Sequence, residues 1–429
     1  MRSLSWFGIV RLGLVQLCLG AIVVLMTSTL NRLMVVELAL PAVLPGFLVA
    51  LHYGVQITRP SWGFLADTSG SRTRWIVAGM AVLGIGAWAA AYAVAVLDRS
   101  FAGGFVLSLA AYAMIGLGVG ASGTSLLALL ATTTAPRRRA AAATITWLMM
   151  IAGIAVTATV VGGLLDPYSD ARLLGIVGAV VCGAFAVTVA AVWRIERGLH
   201  AAPEPEAMPF RQGIAEIWAE PAARAFTLFV FLSMTAYFMQ ELILEPFAGL
   251  VFHLTPGQTT SLSGAQNGGV FLGMLTVGIA ATGLGIGSLR GWVIAGCLGS
   301  AAVLAGIATL GVAGAAGWLT PAVMALGFCN GMFAVAAIGS MMALAGEGRG
   351  RREGTRMGLW GAAQAIAAGF GGLTGAALAD VARMFLDAAP AFGAVFLLEA
   401  GLFLASAALA LRVMERPAPA GRPRLVPGE

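Results

Sequence analysis

The sequence predicts an all-α integral membrane protein with twelve transmembrane helices in two six-helix halves. Three observations predict this fold class: the apolar composition, the number of membrane-length apolar segments and the placement of the arginines. Hydrophobic residues make up 59 % of the 429 residues, and charged residues make up 10 %. A typical soluble domain carries about 25 % charged residues, so these charges are too few for a water-exposed protein of this size.

Twelve segments are long and apolar enough to be membrane helices, which need about 20 mainly apolar residues each. The first half is predicted to contain six spans, near residues 10–30, 42–62, 75–97, 104–131, 141–165 and 173–193. The second half is predicted to contain six more, near residues 225–249, 262–286, 292–311, 319–345, 358–380 and 392–412. The 58 glycines favour helices that pack closely in a membrane, because small residues let backbones approach.

The longest polar segment between predicted spans divides them six and six. Residues 194–224 contain Pro203, Pro205 and Pro209 with several glutamates and are predicted to form a cytoplasmic linker. The predicted domains are therefore an N-terminal six-helix half (1–193), this linker (194–224), a C-terminal six-helix half (225–412) and a cytoplasmic tail (413–429).

The basic residues predict how the spans are oriented. All 25 are arginines, and they lie in short clusters between apolar segments. If both termini lie on one side, the loops on that side carry 21 arginines and the opposite loops carry four. Because short cytoplasmic loops are enriched in positive charge, both termini are predicted to be cytoplasmic. The formal charge of +6 then reflects membrane topology, and no nucleic-acid partner is expected.

The loop after the second predicted span, residues 63–72, reads GFLADTSGSR. It resembles the cytoplasmic loop signature of the major facilitator superfamily at four positions, Gly63, Asp67, Gly70 and Arg72. Thr68 stands where that signature has a basic residue. An eroded copy without the aspartate, GIAATGLG, lies in the second half at 278–285. The resemblance implies a facilitator-like fold, in which the two halves are structural repeats.

Four longer stretches resemble the PucC/LhaA family of membrane proteins from phototrophic bacteria. They read TLNRLMVVELALP at 29–41, LHYGVQITRP at 51–60, QELILEPF at 240–247 and GAQNGG at 264–269. The length is similar to the branch of that family labelled as a bacteriochlorophyll synthase chain. The resemblance implies a role in bacteriochlorophyll handling and light-harvesting assembly at the inner, photosynthetic membrane. It implies bacteriochlorophyll or a precursor as ligand, and antenna polypeptides and pigment-synthesis enzymes as partners.

The second predicted span carries three polar side chains on one helical face. His52, Gln56 and Arg59 follow each other at i, i+4 and i+7. A charged side chain at membrane depth costs roughly 3 kcal/mol, so such residues invite a functional interpretation. A magnesium porphyrin accepts an axial imidazole, which makes His52 a candidate ligand of the pigment magnesium. The alternative is that His52 hydrogen-bonds to a neighbouring helix and fixes its packing.

A second polar stripe is predicted where the first and seventh spans face each other. The candidate residues are Tyr237, Glu241 and Glu245 of the seventh span and Asn31 and Arg32 of the first. The facilitator resemblance implies that the first helix of each half lines a central cavity, so both stripes are expected to face it. Arg32 is expected to pair with Glu37 or with a glutamate of the seventh span. The alternative is that Arg32 binds an anionic ligand.

The sequence shows no catalytic set. Asp166 and Asp170 form a D-x-x-x-D pair, but a membrane prenyltransferase needs two aspartate-rich motifs to hold magnesium against a diphosphate, and the sequence supplies one pair. The stretch GVGASG at 118–123 fits a dinucleotide pattern, yet it lies inside an apolar span without a preceding strand. We therefore expect neither catalysis nor a metal site made of protein ligands alone.

Three functional hypotheses remain. The leading one is an assembly factor that holds bacteriochlorophyll or a late precursor and passes it to antenna or reaction-centre polypeptides. The second is a proton-coupled transporter of a small solute that uses Glu241, Glu245 and Arg32. The third is a non-catalytic accessory subunit of bacteriochlorophyll synthesis.

Overall fold

In the computed structural model, the described part of the chain folds into twelve helices. The structure describes residues 4–59, 62, 71–135, 138–197, 218, 221–347 and 353–413. The first six helices are α1 (Trp6–Val24), α2 (Val43–Val55), α3 (Arg72–Arg99), α4 (Phe101–Thr133), α5 (Arg139–Leu165) and α6 (Asp170–Val192). The second six are α7 (Pro221–Phe252), α8 (Pro256–Val277), α9 (Leu289–Ala313), α10 (Leu319–Glu347), α11 (Glu353–Arg383) and α12 (Ala388–Val413). The predicted all-α fold with two sets of six helices is confirmed.

Most of these helices are suited to cross a lipid bilayer. Ten helices of the described chain combine membrane-spanning length with an apolar composition. The other two are α2, a shorter apolar helix, and α8, whose threonine, serine, glutamine and asparagine side chains make it more polar. Lipid offers no hydrogen-bond partners to backbone groups, so spanning segments form helices that satisfy their own. The chain is a multi-pass membrane protein.

The first span extends beyond its predicted end at residue 30. Two π-helical turns, Leu25–Leu30 and Leu33–Glu37, continue α1. Such turns often mark functional positions in helices. The hydropathy prediction ended the span early because Asn31 and Arg32 are polar, whereas the structure buries both of them between the two halves.

Side-chain caps determine where several helices begin. The N-terminus of α8 carries a complete capping box, in which Thr255 and Gln258 each accept a hydrogen bond from the other's backbone N–H. Serines cap four further helices of the described chain: Ser5 at α1, Ser100 at α4, Ser169 at α6 and Ser288 at α9. Each cap satisfies a backbone N–H that the first helical turn leaves free.

Each half has its own hydrophobic core. One cluster of buried side chains comes from α1–α6 with Leu242 added from α7, and the other comes from α7–α12. Two smaller clusters bridge the halves. At this interface α5 and α8 pack closely. A Cβ on Gly264 of α8 would lie only 2.8 Å from the backbone nitrogen of Thr159 in α5. The functional candidates lie along the same interface.

The helices alternate in direction, so Leu4 and Val413 lie at the same end of the bundle. We call this end the terminal end and the opposite end the distal end. The turns that follow α1, α3, α5, α7, α9 and α11 lie at the distal end. Most of the predicted linker 194–224 and almost all of the predicted tail 413–429 lie outside the described residues, so those domain boundaries stay predictions.

Candidate functional site between the two halves

A proline in α7 lies at the centre of the candidate site. Pro246 is inside the helix and has no backbone N–H, so it cannot donate to the carbonyl of Leu242, four residues earlier. Asn31 supplies the missing donor: its Nδ2 donates to the Leu242 oxygen at 2.7 Å. A side chain of the first half therefore completes the backbone hydrogen bonding of a helix in the second half.

Glu245, next to this proline, joins three helical segments. Its side chain is 1 % exposed. Its Oε1 accepts hydrogen bonds from the hydroxyl of Ser28, in the first π-helical turn, and from the hydroxyl of Ser263 in α8, the second at 2.5 Å. Its Oε2 has no hydrogen-bond partner within the described part of the chain. One acceptor oxygen thus remains unused in the interior of the protein, where an unpaired polar atom is costly.

Arg32 lies on the distal side of Glu245 and is also enclosed, at 3 % exposure. Its guanidinium donates to the half-exposed Glu37 and, at 2.8 Å, to the carbonyl oxygen of Leu254. Its Nε has no partner among the described residues. Of the acids that the sequence offers for pairing, the described contacts therefore join Arg32 to Glu37.

The other two candidates of α7 lie towards the terminal end. Glu241 is partly buried and neighbours Thr27 of the first half. The ring of Tyr237 contacts those of Phe238 and Phe333, at centroid distances of 5.1 and 6.3 Å. This part of α7 is therefore aromatic as well as acidic.

The two predicted stripes meet through aromatic rings. Tyr53 of α2 contacts Phe238 of α7 edge to face, with ring centroids 5.9 Å apart. Tyr53 also contacts the His52 ring beside it, at 4.9 Å. The His52 stripe and the Glu241 stripe are thus neighbours across the interface, although they belong to different halves of the sequence.

His52, Gln56 and Arg59 form a hydrogen-bonded chain. Arg59 donates to Oε1 of Gln56, and Nε2 of Gln56 lies 2.9 Å from Nε2 of His52. An arginine can only donate, so the amide atom that faces it is the oxygen and the amide NH2 faces the imidazole. His52 therefore accepts at Nε2 and carries its ring proton on Nδ1. This Nδ1 is enclosed and has no partner within the described ranges.

The predicted loop signature is only partly visible. Gly63, Asp67 and Gly70 lie outside the described residues. Arg72 begins α3, where its backbone N–H donates to Glu196 at 2.9 Å and its guanidinium donates to Thr132 at 2.5 Å. Arg72 therefore joins the terminal ends of α3 and α4 to the segment after α6.

Sequence reasoning missed two parts of the site. Ser263 was not a candidate, because a serine on a polar helix gives no sign of its partner. The free carbonyl of Leu242 was also missed, although Pro246 four residues later indicates it. In the described chain, no group of three or more histidine, cysteine, aspartate or glutamate side chains is placed to hold a metal ion.

Comparison with protein families decides the identity of the chain. The family described as "PUCC protein" matches residues 29–418, which include every residue of the two predicted stripes. The chain belongs to the PucC family. The predicted resemblance is thereby confirmed.

Relatives of this PucC-family chain match it over almost their whole length. It is 65 % identical over 429 residues to the "Bacteriochlorophyll synthase 44.5 kDa chain" of Rhodobacter capsulatus, with 100 % of both chains covered. It is 31 % identical over 423 residues to "Protein PucC" of Cereibacter sphaeroides, with 92 % of this chain and 90 % of that protein covered.

Solved transporter structures share the fold of this PucC-family chain. The nucleoside transporter NupG superimposes with a TM-score of 0.66 at 13 % identity, with 96 % of this chain and 100 % of that chain covered. A bacterial homolog of the human lysosomal transporter Spinster gives a TM-score of 0.65 at 14 % identity, with 95 % of each chain covered. Likeness at this identity shows the fold alone, and the fold is that of facilitator-type transporters.

Proposed function

We propose that this PucC-family protein handles bacteriochlorophyll, or a late precursor, and delivers it for the assembly of light-harvesting or reaction-centre complexes. The observation that carries the proposal is 65 % identity over the whole chain to a protein named as a bacteriochlorophyll synthase chain. The proposal places the protein in the inner, photosynthetic membrane of a phototrophic bacterium, with both termini cytoplasmic. Its partners are antenna polypeptides and pigment-synthesis enzymes.

The geometry between the halves supports a ligand with several polar groups on an apolar body. Four enclosed atoms there have no hydrogen-bond partner within the described residues: Nδ1 of His52, Oδ1 of Asn31, Nε of Arg32 and Oε2 of Glu245. The ring of Phe238 contacts those of Tyr53 and Tyr237 at the same interface. A pigment macrocycle with carbonyl groups at its edge suits aromatic contacts together with a few hydrogen bonds.

His52 has two chemically distinct ways to contact a pigment. As it stands, Nδ1–H donates a hydrogen bond and suits a carbonyl group. Coordination of magnesium through Nδ1 needs the ring proton on Nε2, and Gln56 must then turn its amide oxygen towards the ring. Arg59 holds that oxygen, so the relay favours hydrogen bonding over axial ligation.

The experiment is an absorption spectrum of the protein purified from a phototrophic host, repeated for His52→Ala. We expect a stoichiometric, red-shifted bacteriochlorophyll band that is shifted or lost in this variant. His253→Ala, which changes a histidine in the turn between α7 and α8, is the matched control and is expected to keep the band. A colourless wild-type protein would contradict the proposal that the protein carries pigment.

A proton-coupled solute transporter is the second candidate, favoured by the transporter fold and by Glu241, Glu245 and Arg32 between the halves. This function predicts that Glu241→Gln or Glu245→Gln abolishes uptake while pigment and antenna levels stay normal. The assembly function predicts lost antenna with intact pigment synthesis. Pigment extraction and membrane absorption measure the pigment and antenna levels, and a separate uptake assay on the same culture measures transport.

We propose a non-catalytic role, although a relative carries the name of a synthase chain. The residues described at the site serve as hydrogen-bond donors and acceptors rather than as a nucleophile with its base. An accessory subunit of pigment synthesis remains the third candidate. It predicts that deletion of the gene causes unprenylated pigment to accumulate, whereas loss of an assembly factor leaves the pigment prenylated.

A further inference from the structure

Three buried polar side chains lie inside the second half: Gln240 of α7, Asn330 of α10 and Glu399 of α12. Each of them has 0 % exposure. Both polar atoms of Gln240, Nδ2 of Asn330 and both carboxyl oxygens of Glu399 have no hydrogen-bond partner among the described residues. Buried polar atoms are nearly always paired, so this group of side chains needs an explanation. We call the three residues the polar layer.

A layer of aromatic rings shows that the three residues lie at one depth in the bundle. The ring of Phe333 contacts those of Tyr237 and Phe403, with centroid distances of 6.3 and 5.6 Å. Each member of the polar layer lies one helical turn from one of these rings and on the same helical face as that ring. In all three helices this turn leads towards the distal end, because α7 runs towards that end and α10 and α12 begin there.

A second aromatic layer lies on the distal side of the polar layer. The ring of Phe247 contacts those of Phe392 and Phe396, with centroid distances of 5.8 and 5.0 Å. Phe396 comes one turn before Glu399 on α12, and Phe247 comes two turns after Gln240 on α7. The polar layer therefore lies between two sets of rings, in the interior of the second half and away from the interface between the halves.

The polar layer can present oxygen atoms from all three of its members. The amide of Gln240 is held at neither end, so its oxygen can turn inwards. Oδ1 of Asn330 accepts a hydrogen bond from the hydroxyl of Ser300 in α9 at 2.8 Å. Because a hydroxyl can also accept, a reversed Asn330 amide donates to Ser300 and turns its own oxygen inwards. The layer then offers two amide oxygens and two carboxyl oxygens, the ligands that hard cations prefer.

The charge of the polar layer indicates which cation it suits. A buried carboxylate needs a positive partner. Arg32 is the buried arginine of the described chain, and it lies at the interface, where it bonds to Glu37 and to the Leu254 carbonyl. The described core of the second half therefore offers Glu399 no basic side chain. A single carboxylate is neutralised by a monovalent cation, whereas a divalent cation would leave a net positive charge.

We propose that Gln240, Asn330 and Glu399 bind one monovalent metal cation of the Na⁺ class inside the second half. Without the cation the carboxyl group stays unpaired, which costs free energy. Binding therefore stabilises the folded chain in proportion to the occupancy of the site. This inference does not depend on which pigment or solute the protein handles at the interface.

The test follows thermal unfolding of the purified full chain in mixed detergent micelles while Na⁺ replaces N-methyl-D-glucamine at constant ionic strength. Above the half-maximal concentration, a hundredfold increase in Na⁺ should raise the unfolding midpoint by about 3 °C. Glu399→Gln removes the charge and should abolish this shift. Gln240→Ala removes one oxygen and should raise the Na⁺ concentration for half the effect about tenfold, as for a partner of a charged group.

Ser406→Ala is the matched control, because this buried hydroxyl of α12 bonds to the Leu402 carbonyl of its own helix at 2.8 Å. It should keep the full response to Na⁺. Equilibrium dialysis with radioactive sodium gives a second readout that needs no unfolding, and the unaltered chain should bind one ion. An equal midpoint in Na⁺ and in the organic cation, no bound sodium, or equal sodium binding by folded Glu399→Gln would overturn the proposal and indicate that water alone pairs with the polar layer.

Discussion

Glu245 and Glu399 are both buried carboxyl groups of the second half, and their surroundings differ. Glu245 lies where the halves meet and accepts hydrogen bonds from Ser28 and Ser263. Glu399 lies in α12 inside the core of the second half, with 0 % exposure and no hydrogen-bond partner for either oxygen in the described chain. Glu245 therefore keeps two hydrogen bonds at one of its oxygens, whereas neither oxygen of Glu399 has a hydrogen-bond partner among the described residues.

The neighbours of Glu399 explain the contrast. Phe396 and Phe403 flank it on α12, and Phe403 contacts Phe333 of α10 with ring centroids 5.6 Å apart. Aromatic rings offer a carboxyl group no strong donor. Burial of a carboxyl group without a donor costs free energy, and the free energy of unfolding should therefore rise when this carboxyl group is removed.

The largest effect is expected for Glu399→Leu. We expect the free energy of unfolding to increase by about 2 kcal/mol, because an unsatisfied polar group is replaced by an apolar one of similar volume. Unfolding in mixed detergent micelles without Na⁺ measures it. Leu397→Ala, at an exposed position of the same helix, controls for general changes in α12. A decrease in stability for Glu399→Leu would show that the carboxyl group has a structural role.

Glu245→Leu should change stability in the opposite direction. The hydroxyls of Ser28 and Ser263 lose their acceptor, so we expect the free energy of unfolding to fall by about 1 kcal/mol. Glu245→Gln keeps an acceptor oxygen and should lose less. The same micelle assay compares both variants. If Glu245→Leu and Glu399→Leu change the free energy of unfolding in the same direction, the two carboxyl groups do not differ as described.

Sequence reasoning predicted the twelve helices because apolarity and length identify most membrane spans. It ended the first span too early, since burial of Asn31 and Arg32 depends on α7 and α8, which are distant in sequence. For the site, it found both polar stripes but not their contact through Tyr53 and Phe238. Which helices become neighbours is a property of the fold and not of local hydropathy.

Asp166 shows the same limit. Its sequence pattern suggested only a metal ligand, which the missing second aspartate motif argued against. Its actual role as a helix cap requires the N-terminus of α8 beside it. Its correspondence to Asp380 in the other half, which accepts from the backbone N–H of Val43 at the start of α2, becomes visible only when both contacts are known. The equivalence of two residues in the two halves is therefore recognised from the contacts that each of them makes.

The smallest effect is expected at Asn31. It tests whether Asn31 replaces the backbone N–H that Pro246 lacks. Asn31→Ala leaves the Leu242 carbonyl without a donor, which should lower the free energy of unfolding by about 0.6 kcal/mol, typical of side-chain hydrogen bonds between membrane helices. Pro246→Ala restores the N–H that bonds to this carbonyl within α7. In that background Asn31→Ala should cost almost nothing, because the carbonyl already has its donor. A double-mutant cycle in mixed micelles measures the coupling, and equal costs in both backgrounds would show that Asn31 acts independently of the proline.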